Sequence, residues 1–205
     1  MFPDLLLDDV FRLETSRLWL RWPRAADAAT ITSLAADPEV ARMTTDLPHP
    51  YPQGAGAEYV LRARQSNLSG EALSLVLTHK PRHGEPIGAI SLRPQDTGVA
   101  ELGFWLGKAH AGHGLMREAI DALTGLAFRI CDFDAISASV RLADERSSRL
   151  LGDCGFIAAG AGIQQAPTRG GAVPVAQYLL RRASMAAGQG VGAADHLGSA
   201  QMLTA

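Results

Sequence analysis

The sequence contains few cysteines, few aromatic residues and almost no net charge. Its two cysteines, Cys131 and Cys154, are too few for a disulfide scaffold, and neither has the paired spacing of a zinc site. The formal net charge of −2 argues against a dedicated nucleic-acid binder, because such proteins usually carry a strong basic excess. Hydrophobic residues make up 47% and charged residues 20% of the 205-residue chain, which indicates an ordinary globular domain rather than a disordered protein.

Long apolar runs are also missing. No stretch approaches the roughly 18 apolar residues that a membrane-spanning helix requires. The first ten residues, MFPDLLLDDV, have no basic segment before their leucines, so we do not expect a secretory signal. We therefore expect a cytoplasmic protein with reduced thiols and no membrane association.

Hydrophobic periodicity predicts a single α/β domain over residues 13–182. It is preceded by an N-terminal extension over 1–12 and followed by a disordered tail over 183–205, which is rich in Ala, Gly and Ser. Alternating residues predict strands over 15–22, 72–78, 87–92, 99–106, 136–141, 156–159 and 173–180. Helical spacing predicts helices over 27–37, 58–66 and 112–130, and a short helix that Asp144 begins and Gly155 ends.

Two kinds of strand connection determine the expected sheet. The three strands between 72 and 106 are joined by short turns, so they should pair antiparallel. The strand–helix–strand unit over 99–142 requires a parallel pair with a right-handed crossover. The sequence thus predicts a mixed sheet with helices on both faces, and loops over 47–53 and 160–172.

The most informative segment begins at Glu101 and contains a strand, the loop Gly112-His113-Gly114 and the start of the longest helix. Glycines let backbone N–H groups point inward, and the start of a helix adds unpaired amides and a positive dipole end. These features predict a phosphate-binding loop, although a helix that only needs a tight turn would show the same pattern. The Walker motif is absent, because no Gly-Lys-Ser/Thr follows. The dinucleotide fingerprint is absent as well, because Arg117 stands at its third glycine.

Several motifs in order resemble a known family. Glu101-Leu-Gly-Phe-Trp-Leu followed by Gly-X-Gly resembles the central motif of the Gcn5-related N-acetyltransferases (GNAT). The segments that begin at Glu14 (ETSRLWLR), Asp37 (DPEV) and Asp144 (DERSSRLLGDCGF) resemble the ribosomal-protein N-acetyltransferase, RimJ/RimL-like, branch in order and spacing. The resemblance covers about residues 13–182. It implies a mostly antiparallel sheet in which the one parallel strand pair splays open.

The resemblance further implies that the cosubstrate is acetyl-CoA. Its pyrophosphate would lie on the loop amides, its pantetheine arm along the strand at 104–106, and its thioester near Gly103, with a strand amide as oxyanion donor. Asp144 stands where the family has an asparagine that contacts the pantetheine. The implied binding residues are Phe104, Trp105, Leu106, Ala109, His110, Gly112, His113, Gly114, Leu115, Met116 and Asp144. His110 and His113 are spaced like metal ligands, but nothing in the loop completes a site, so we expect no metal.

Two residues are candidates for proton transfer. Glu101 begins the strand beside the expected thioester and could remove a proton from an incoming ammonium, directly or through water; alternatively it is an exposed residue at a strand end. Leu151 stands where relatives have a tyrosine that protonates the leaving thiolate, so Ser147 is the substitute candidate. First-turn serines are otherwise structural.

Three functions stay open at this point. The favoured one is acetyl transfer to a primary amine by direct attack in a ternary complex, with an amine-bearing small molecule or a protein N-terminus as acceptor. The second is a non-catalytic acyl-CoA-binding or regulatory module on the same fold, and the third is an unrelated α/β binding domain. Nucleic acid and membrane are not expected as partners, and a homodimer is left open. The loops near 44–57 and 161–172 contain few charges, so they favour no strongly charged acceptor.

Overall fold

The computed structural model describes residues 2–45, 47–80, 84–95, 98–166 and 171–184. These residues form eight strands: β1 Arg12–Glu14, β2 Leu18–Arg21, β3 Leu73–His79, β4 Gly88–Pro94, β5 Val99–Leu106, β6 Ala135–Arg141, β7 Ile157–Ala166 and β8 Gly171–Arg181. The α-helices are α1 Ala28–Ala35, α2 Pro38–Met43, α3 Ala55–Ser69, α4 Leu115–Ile130 and α5 Glu145–Asp153. Short 3₁₀ turns occur at Asp4–Leu7, Ala25–Asp27 and Lys108–His110.

All eight strands form one sheet in the order β1-β2-β3-β4-β5-β6-β8-β7. Neighbouring strands pair antiparallel except β5 and β6, which pair parallel over four positions from Val99–Ala135 to Leu102–Ala138. Beyond these positions both strands continue without pairing to each other, β5 to Leu106 and β6 to Arg141. The predicted mixed, mostly antiparallel sheet with one splayed parallel pair is therefore confirmed.

Helices cover both faces of the sheet, as predicted. On one face, α4 and α5 pack against alternate residues of β2 to β6 and form the main hydrophobic core with buried Leu20, Leu75, Ile120, Leu123 and Leu151. α4 supplies much of this core because its apolar residues recur at helical spacing, so one side of the helix is continuously hydrophobic.

The other face of the sheet carries α1, α2 and α3. Two smaller clusters form there: Ile31, Val60 and Val76 join α1, α3 and β3, and Ala35, Val40 and Leu47 join α1, α2 and the loop after α2. Trp105 of β5 packs against both clusters. This second layer stands in front of the splayed strands and forms one side of the site described below.

Three segments differ from the expectations. The strand predicted over 15–22 is a hairpin of β1 and β2, because Thr15 turns the chain: its N–H and hydroxyl both donate to the Leu18 carbonyl. α2 was not predicted as a separate helix; Asp37 caps it by accepting from the Glu39 N–H at 2.8 Å, and Pro38 occupies the first position.

The loop predicted over 160–172 is instead mostly strand. β7 extends to Ala166 and β8 begins at Gly171, so the two form a long hairpin. Gly and Pro residues led us to expect a loop, but β7 is an edge strand, and Pro174 lies just outside the part of β8 that pairs with β6.

The segment predicted as an N-terminal extension packs against the rest of the domain. Phe2 and Leu6, in the segment predicted as an extension, are 4% and 1% exposed and belong to the main core. Most of the predicted tail, residues 185–205, lies outside the described residues. Within the described ranges, no helix is long and apolar enough to cross a membrane.

Candidate active site

The loop between β5 and α4 presents unpaired backbone amides. Gly112 and Gly114 have φ values of 81° and 71°, a left-handed conformation that glycine adopts without strain. Among the described residues, no backbone carbonyl accepts from the N–H groups of residues 112–115. The amides of His110 and Ala111, by contrast, donate to the Gly107 and Lys108 carbonyls within the 3₁₀ turn. Open amides therefore begin at Gly112 and continue into the first turn of α4.

A network of hydrogen bonds holds this loop against the β1–β2 turn. Glu118, in the first turn of α4, accepts from the Thr15 hydroxyl at 2.6 Å, the Ser16 hydroxyl at 2.9 Å and the Arg17 N–H at 2.7 Å. The Arg17 guanidinium pairs with Glu118 at 2.6 Å and donates to the His113 carbonyl at 2.9 Å. We call these contacts the Arg17–Glu118 clamp.

The clamp changes the acidity of Glu118. Partial burial alone raises its pKa, but the hydrogen bonds from Thr15, Arg17 and Ser16 outweigh this and lower the pKa to about 2. Glu118 is therefore ionised throughout the neutral range. A negative charge in the first turn also interacts favourably with the positive end of the α4 dipole.

A shallow basic pocket adjoins the loop on the side of β2 and β3. Arg17, His79, Lys80, His110 and His113 contribute to its wall. The rings of His79 and His110 lie 5.6 Å apart. Burial lowers the pKa of His110, and the neighbouring His79 and His113 lower it further, so His110 is neutral near pH 7. Within the described ranges, no group of three His, Cys, Asp or Glu residues could hold a metal ion.

A cavity of about 650 Å³ opens where β5 and β6 splay apart. It lies between the sheet and the layer of α2, α3 and the loop after α2, and it reaches the start of α5. Gly103, Phe104, Trp105 and Ser147 line it, which brings together the predicted thioester position, part of the predicted pantetheine strand and one predicted catalytic residue. We call this cavity the splay cleft.

Gly103, the expected thioester position, leaves little room for a side chain. The β4–β5 ladder is continuous at this position and pairs Gly103 with Ser91, so no bulge is present. A Cβ on Gly103 would lie 3.0 Å from the Ser91 hydroxyl oxygen, which is tighter than ordinary van der Waals contact. Glycine therefore keeps this part of the cleft floor open.

Ser147 and Asp144 are linked at the start of α5. The buried Asp144 carboxylate caps the helix by accepting from the Ser147 N–H at 3.0 Å. This bond fixes the backbone of Ser147, which lines the cleft. Leu151, at the position of the family's tyrosine, is fully buried in the main core and cannot reach the cleft.

Glu101 lies near the cleft but does not line it. Its side chain is half-buried on β5, where it stands opposite Arg93 of β4 and Ser137 of β6. One carboxylate oxygen accepts from the Gln95 side-chain amide at 3.1 Å. Glu101 and Gly103 are two positions apart on β5, so they lie on the same face of the sheet.

Several other predicted binding residues have side chains that pack in or against the main core. The side chains of Leu115 and Met116 are buried in the main core, so only their backbone groups are available to a ligand. Phe104 and Leu106 also pack against that core. Ala109 lies in the wall of the basic pocket.

Sequence reasoning missed most of the polar residues in the splay cleft. Glu58 and Arg62 of α3, Arg93 of β4 and Arg141 of β6 all line it. Nothing in their local sequence marks them, since they come from three separate elements that only the fold brings together. Tyr51, in the predicted acceptor-side loop, also lines the cleft, and burial raises the pKa of its phenol, which Arg62 lowers and Glu58 raises.

Comparison with known proteins agrees with this geometry. Residues 17–157 match the family model described as the acetyltransferase (GNAT) domain. The chain belongs to the GNAT acetyltransferase family. The matched range contains both the open-amide loop and the strands that surround the splay cleft, and the predicted resemblance is confirmed.

Individual relatives of this GNAT protein are distant. An uncharacterized N-acetyltransferase, p20, from Bacillus licheniformis is 29% identical over 146 residues, which span 70% of this chain and 81% of that protein. The structure of RimL, a ribosomal L7/L12 α-N-protein acetyltransferase in complex with coenzyme A, superposes with a TM-score of 0.73 at 17% identity and covers 83% of this chain and 98% of that one. The microcin C7 self-immunity acetyltransferase MccE, in complex with acetyl-CoA and AMP, has a TM-score of 0.70 at 17% identity and covers 81% and 93%. The two structural likenesses show the shared fold alone. The family match identifies an acetyl-CoA-dependent N-acetyltransferase.

Proposed function

We propose that this acetyltransferase moves an acetyl group from acetyl-CoA to a primary amine, on a small molecule or a protein N-terminus, by direct attack in a ternary complex. One observation carries the proposal. The open-amide loop and the splay cleft both lie at the end of β5, so a phosphate bound at the first and a thioester at Gly103 can belong to one ligand.

The residues present suit acetyl-CoA. Unpaired amides from Gly112 to Leu115 can bind a pyrophosphate, because each can donate to a phosphate oxygen at the positive end of α4. The unpaired edges of β5 and β6 beyond Leu102 and Ala138 can hydrogen-bond the amides of a pantetheine arm. When bound, acetyl-CoA supplies an activated acyl group.

Proton transfer would fall to two residues. An amine acceptor arrives mostly as ammonium near pH 7, so a base must remove a proton before the nitrogen can attack. We assign this role to Glu101, acting through water because its carboxylate is beside the cleft rather than in its wall. As the new C–N bond forms and the C–S bond breaks, the sulfur leaves as a thiolate and the nitrogen loses a second proton to become the amide. We assign the transfer of this proton to Ser147, whose hydroxyl protonates the sulfur and recovers a proton from the nitrogen, directly or through water.

Direct attack is favoured because no cysteine in the described part of the chain lines the cleft. Cys131 and Cys154 are both buried elsewhere. Burial raises the pKa of Cys154 to about 12, assisted by Asp121, so its thiol is a poor nucleophile at neutral pH. A covalent acetyl-cysteine relay therefore has no suitable residue here.

The pH dependence of Glu101→Gln tests the assignment of the base. Glutamine keeps the shape of the side chain but cannot accept the proton, so kcat/KM for the amine should fall about 10²-fold near neutrality with acetyl-CoA affinity intact. The loss should shrink as the pH rises, because more of the acceptor is then neutral. Glu58→Gln, which removes the carboxylate that does line the cleft, is the matched variant. A wild-type rate for Glu101→Gln combined with a pH-dependent loss for Glu58→Gln would transfer the role to Glu58.

A further inference from the structure

We propose that the preferred acceptor carries a carboxylate close to its amine, and that Arg93, Arg141 and Arg62 select it. This inference rests on the proposed function, since it concerns the acceptor of that reaction. The loops around the cleft contain few charges, so the sequence favoured no strongly charged acceptor. The walls of the cleft give the opposite indication.

The cleft has an excess of positive charge. Three guanidinium groups line it from three different elements, α3, β4 and β6, whereas Glu58 is the one carboxylate among its described lining residues. Among the described arginines, only Arg17, Arg21, Arg64 and Arg117 form ion pairs. The three arginines of the cleft have no carboxylate within ion-pair distance in the described ranges.

Arg93 is placed to contact the acceptor near its reacting nitrogen. On β4 it lies two residues from Ser91, which pairs directly with Gly103, the expected thioester position. Two residues along a strand span about 7 Å, and both side chains point to the same face. An amine at Gly103 could therefore place a carboxylate a few bonds away against the Arg93 guanidinium. Arginine suits this role because its planar N–H groups match a carboxylate in a two-point contact.

Arg141 completes the positive wall in a fixed position. Its guanidinium donates to the Arg42 carbonyl at the end of α2, which ties β6 to the helical layer across the cleft. One N–H group is used by this bond, and the other donors of the guanidinium stay available. Arg62 of α3 has Glu58 one turn before it, so its charge is partly offset, and Arg93 and Arg141 contribute most of the excess.

The class of acceptor that these arginines would bind is an amine with a neighbouring carboxylate. Free amino acids and peptides with an acidic residue near the N-terminus both carry it. A matched acceptor panel separates these sources: β-alanine against its amide, and a short peptide with Glu at its second position against the same peptide with Gln. Each pair differs only in the charge that the arginines would bind.

The experiment measures kcat/KM for each pair with the wild type, Arg93→Gln and Arg129→Gln. Arg129 is an exposed arginine near the end of α4, outside the cleft, and serves as the control. We expect the wild type and Arg129→Gln to favour the acidic member of at least one pair by tenfold or more in kcat/KM. This preference should decrease as the salt concentration rises. Arg93→Gln should lose this preference and bind acetyl-CoA normally. Arg93→Glu should reverse the preference.

The outcomes separate this inference from the proposed function. If the wild type acetylates neutral amines as well as or better than acidic ones, or if Arg93→Gln slows both members equally, the inference is wrong while the proposed function stands. If no amine of any charge is acetylated although acetyl-CoA binds, the proposed function itself fails.

Discussion

Replacing Glu118 with glutamine tests whether the Arg17–Glu118 clamp stabilises the fold and positions the open-amide loop. The carboxylate has a pKa of about 2 in the folded protein against an ordinary value of 4.5. A difference of this size corresponds to about 3 kcal/mol of stability at 1.36 kcal/mol per pKa unit. The Arg17 side chain is 49% exposed, and solvent screens part of this interaction, so we expect Glu118→Gln to lower the free energy of unfolding by about 2 kcal/mol at pH 7.

The pH dependence of this loss follows from the sign of the shift. A carboxylate with a lowered pKa in the folded state stabilises the protein above its unfolded pKa, and the stabilisation disappears as the pH falls through the folded value. The difference between wild type and Glu118→Gln should therefore be constant above about pH 5.5 and shrink steadily between pH 4.5 and pH 2. Urea unfolding at a series of pH values measures it directly.

The same variant should also affect the loop. Arg17 would lose its ion pair and hold the His113 carbonyl less firmly, so acetyl-CoA affinity should fall while kcat at saturation changes little. Glu14→Gln is the control: Glu14 lies next to the same turn and forms an ion pair with Lys80, which follows β3, and within the described residues it has no ion pair with α4. A stability difference that is independent of pH, or equal losses for both variants, would refute the account of the clamp.

Two further predictions concern the loop and the leaving group. Gly114→Asp should weaken acetyl-CoA binding more than tenfold in calorimetry, because it places a charge beside the pyrophosphate. Gly114→Asn, in which asparagine tolerates the same left-handed backbone, should weaken binding much less. Equal effects of the two variants would contradict the placement of the pyrophosphate. Ser147→Ala should lower kcat on the order of tenfold and leave the Kd for acetyl-CoA nearly unchanged. The loss is modest because a thiolate leaves tolerably well without an acid. An unaltered kcat at every pH would show that Ser147 is only a structural residue of α5.

The sequence predicted the features that depend on neighbouring residues. The β5–loop–α4 segment was located from its alternation, its two glycines and its helical spacing, and the structure places β5 at Val99–Leu106 as expected. The Asp144 cap and the splayed parallel pair were also predicted correctly. Each of these features is specified locally or by the connection between two adjacent elements, so one segment of sequence contains the information.

Features that join distant segments could not be predicted in this way. The clamp links Arg17 to Glu118 across 101 positions, and the arginines of the splay cleft come from α3, β4 and β6. Their residue types are common on protein surfaces, so sequence alone gives no reason to place them together. The same limit applies to Glu101, which the motif identified, whereas its position beside the cleft wall depends on the pairing with β4.

The central claim is that this GNAT protein transfers an acetyl group from acetyl-CoA to an amine acceptor that binds in the splay cleft. The direct measurement is to incubate the full chain with acetyl-CoA and an amine panel, and to quantify both the free CoA thiol and the acetylated amine by mass spectrometry. The account predicts that thiol release depends on the amine and matches the acetylated product one for one. Acetyl-CoA binding with a thiol release that no amine accelerates would contradict it and indicate a non-catalytic acyl-CoA-binding module.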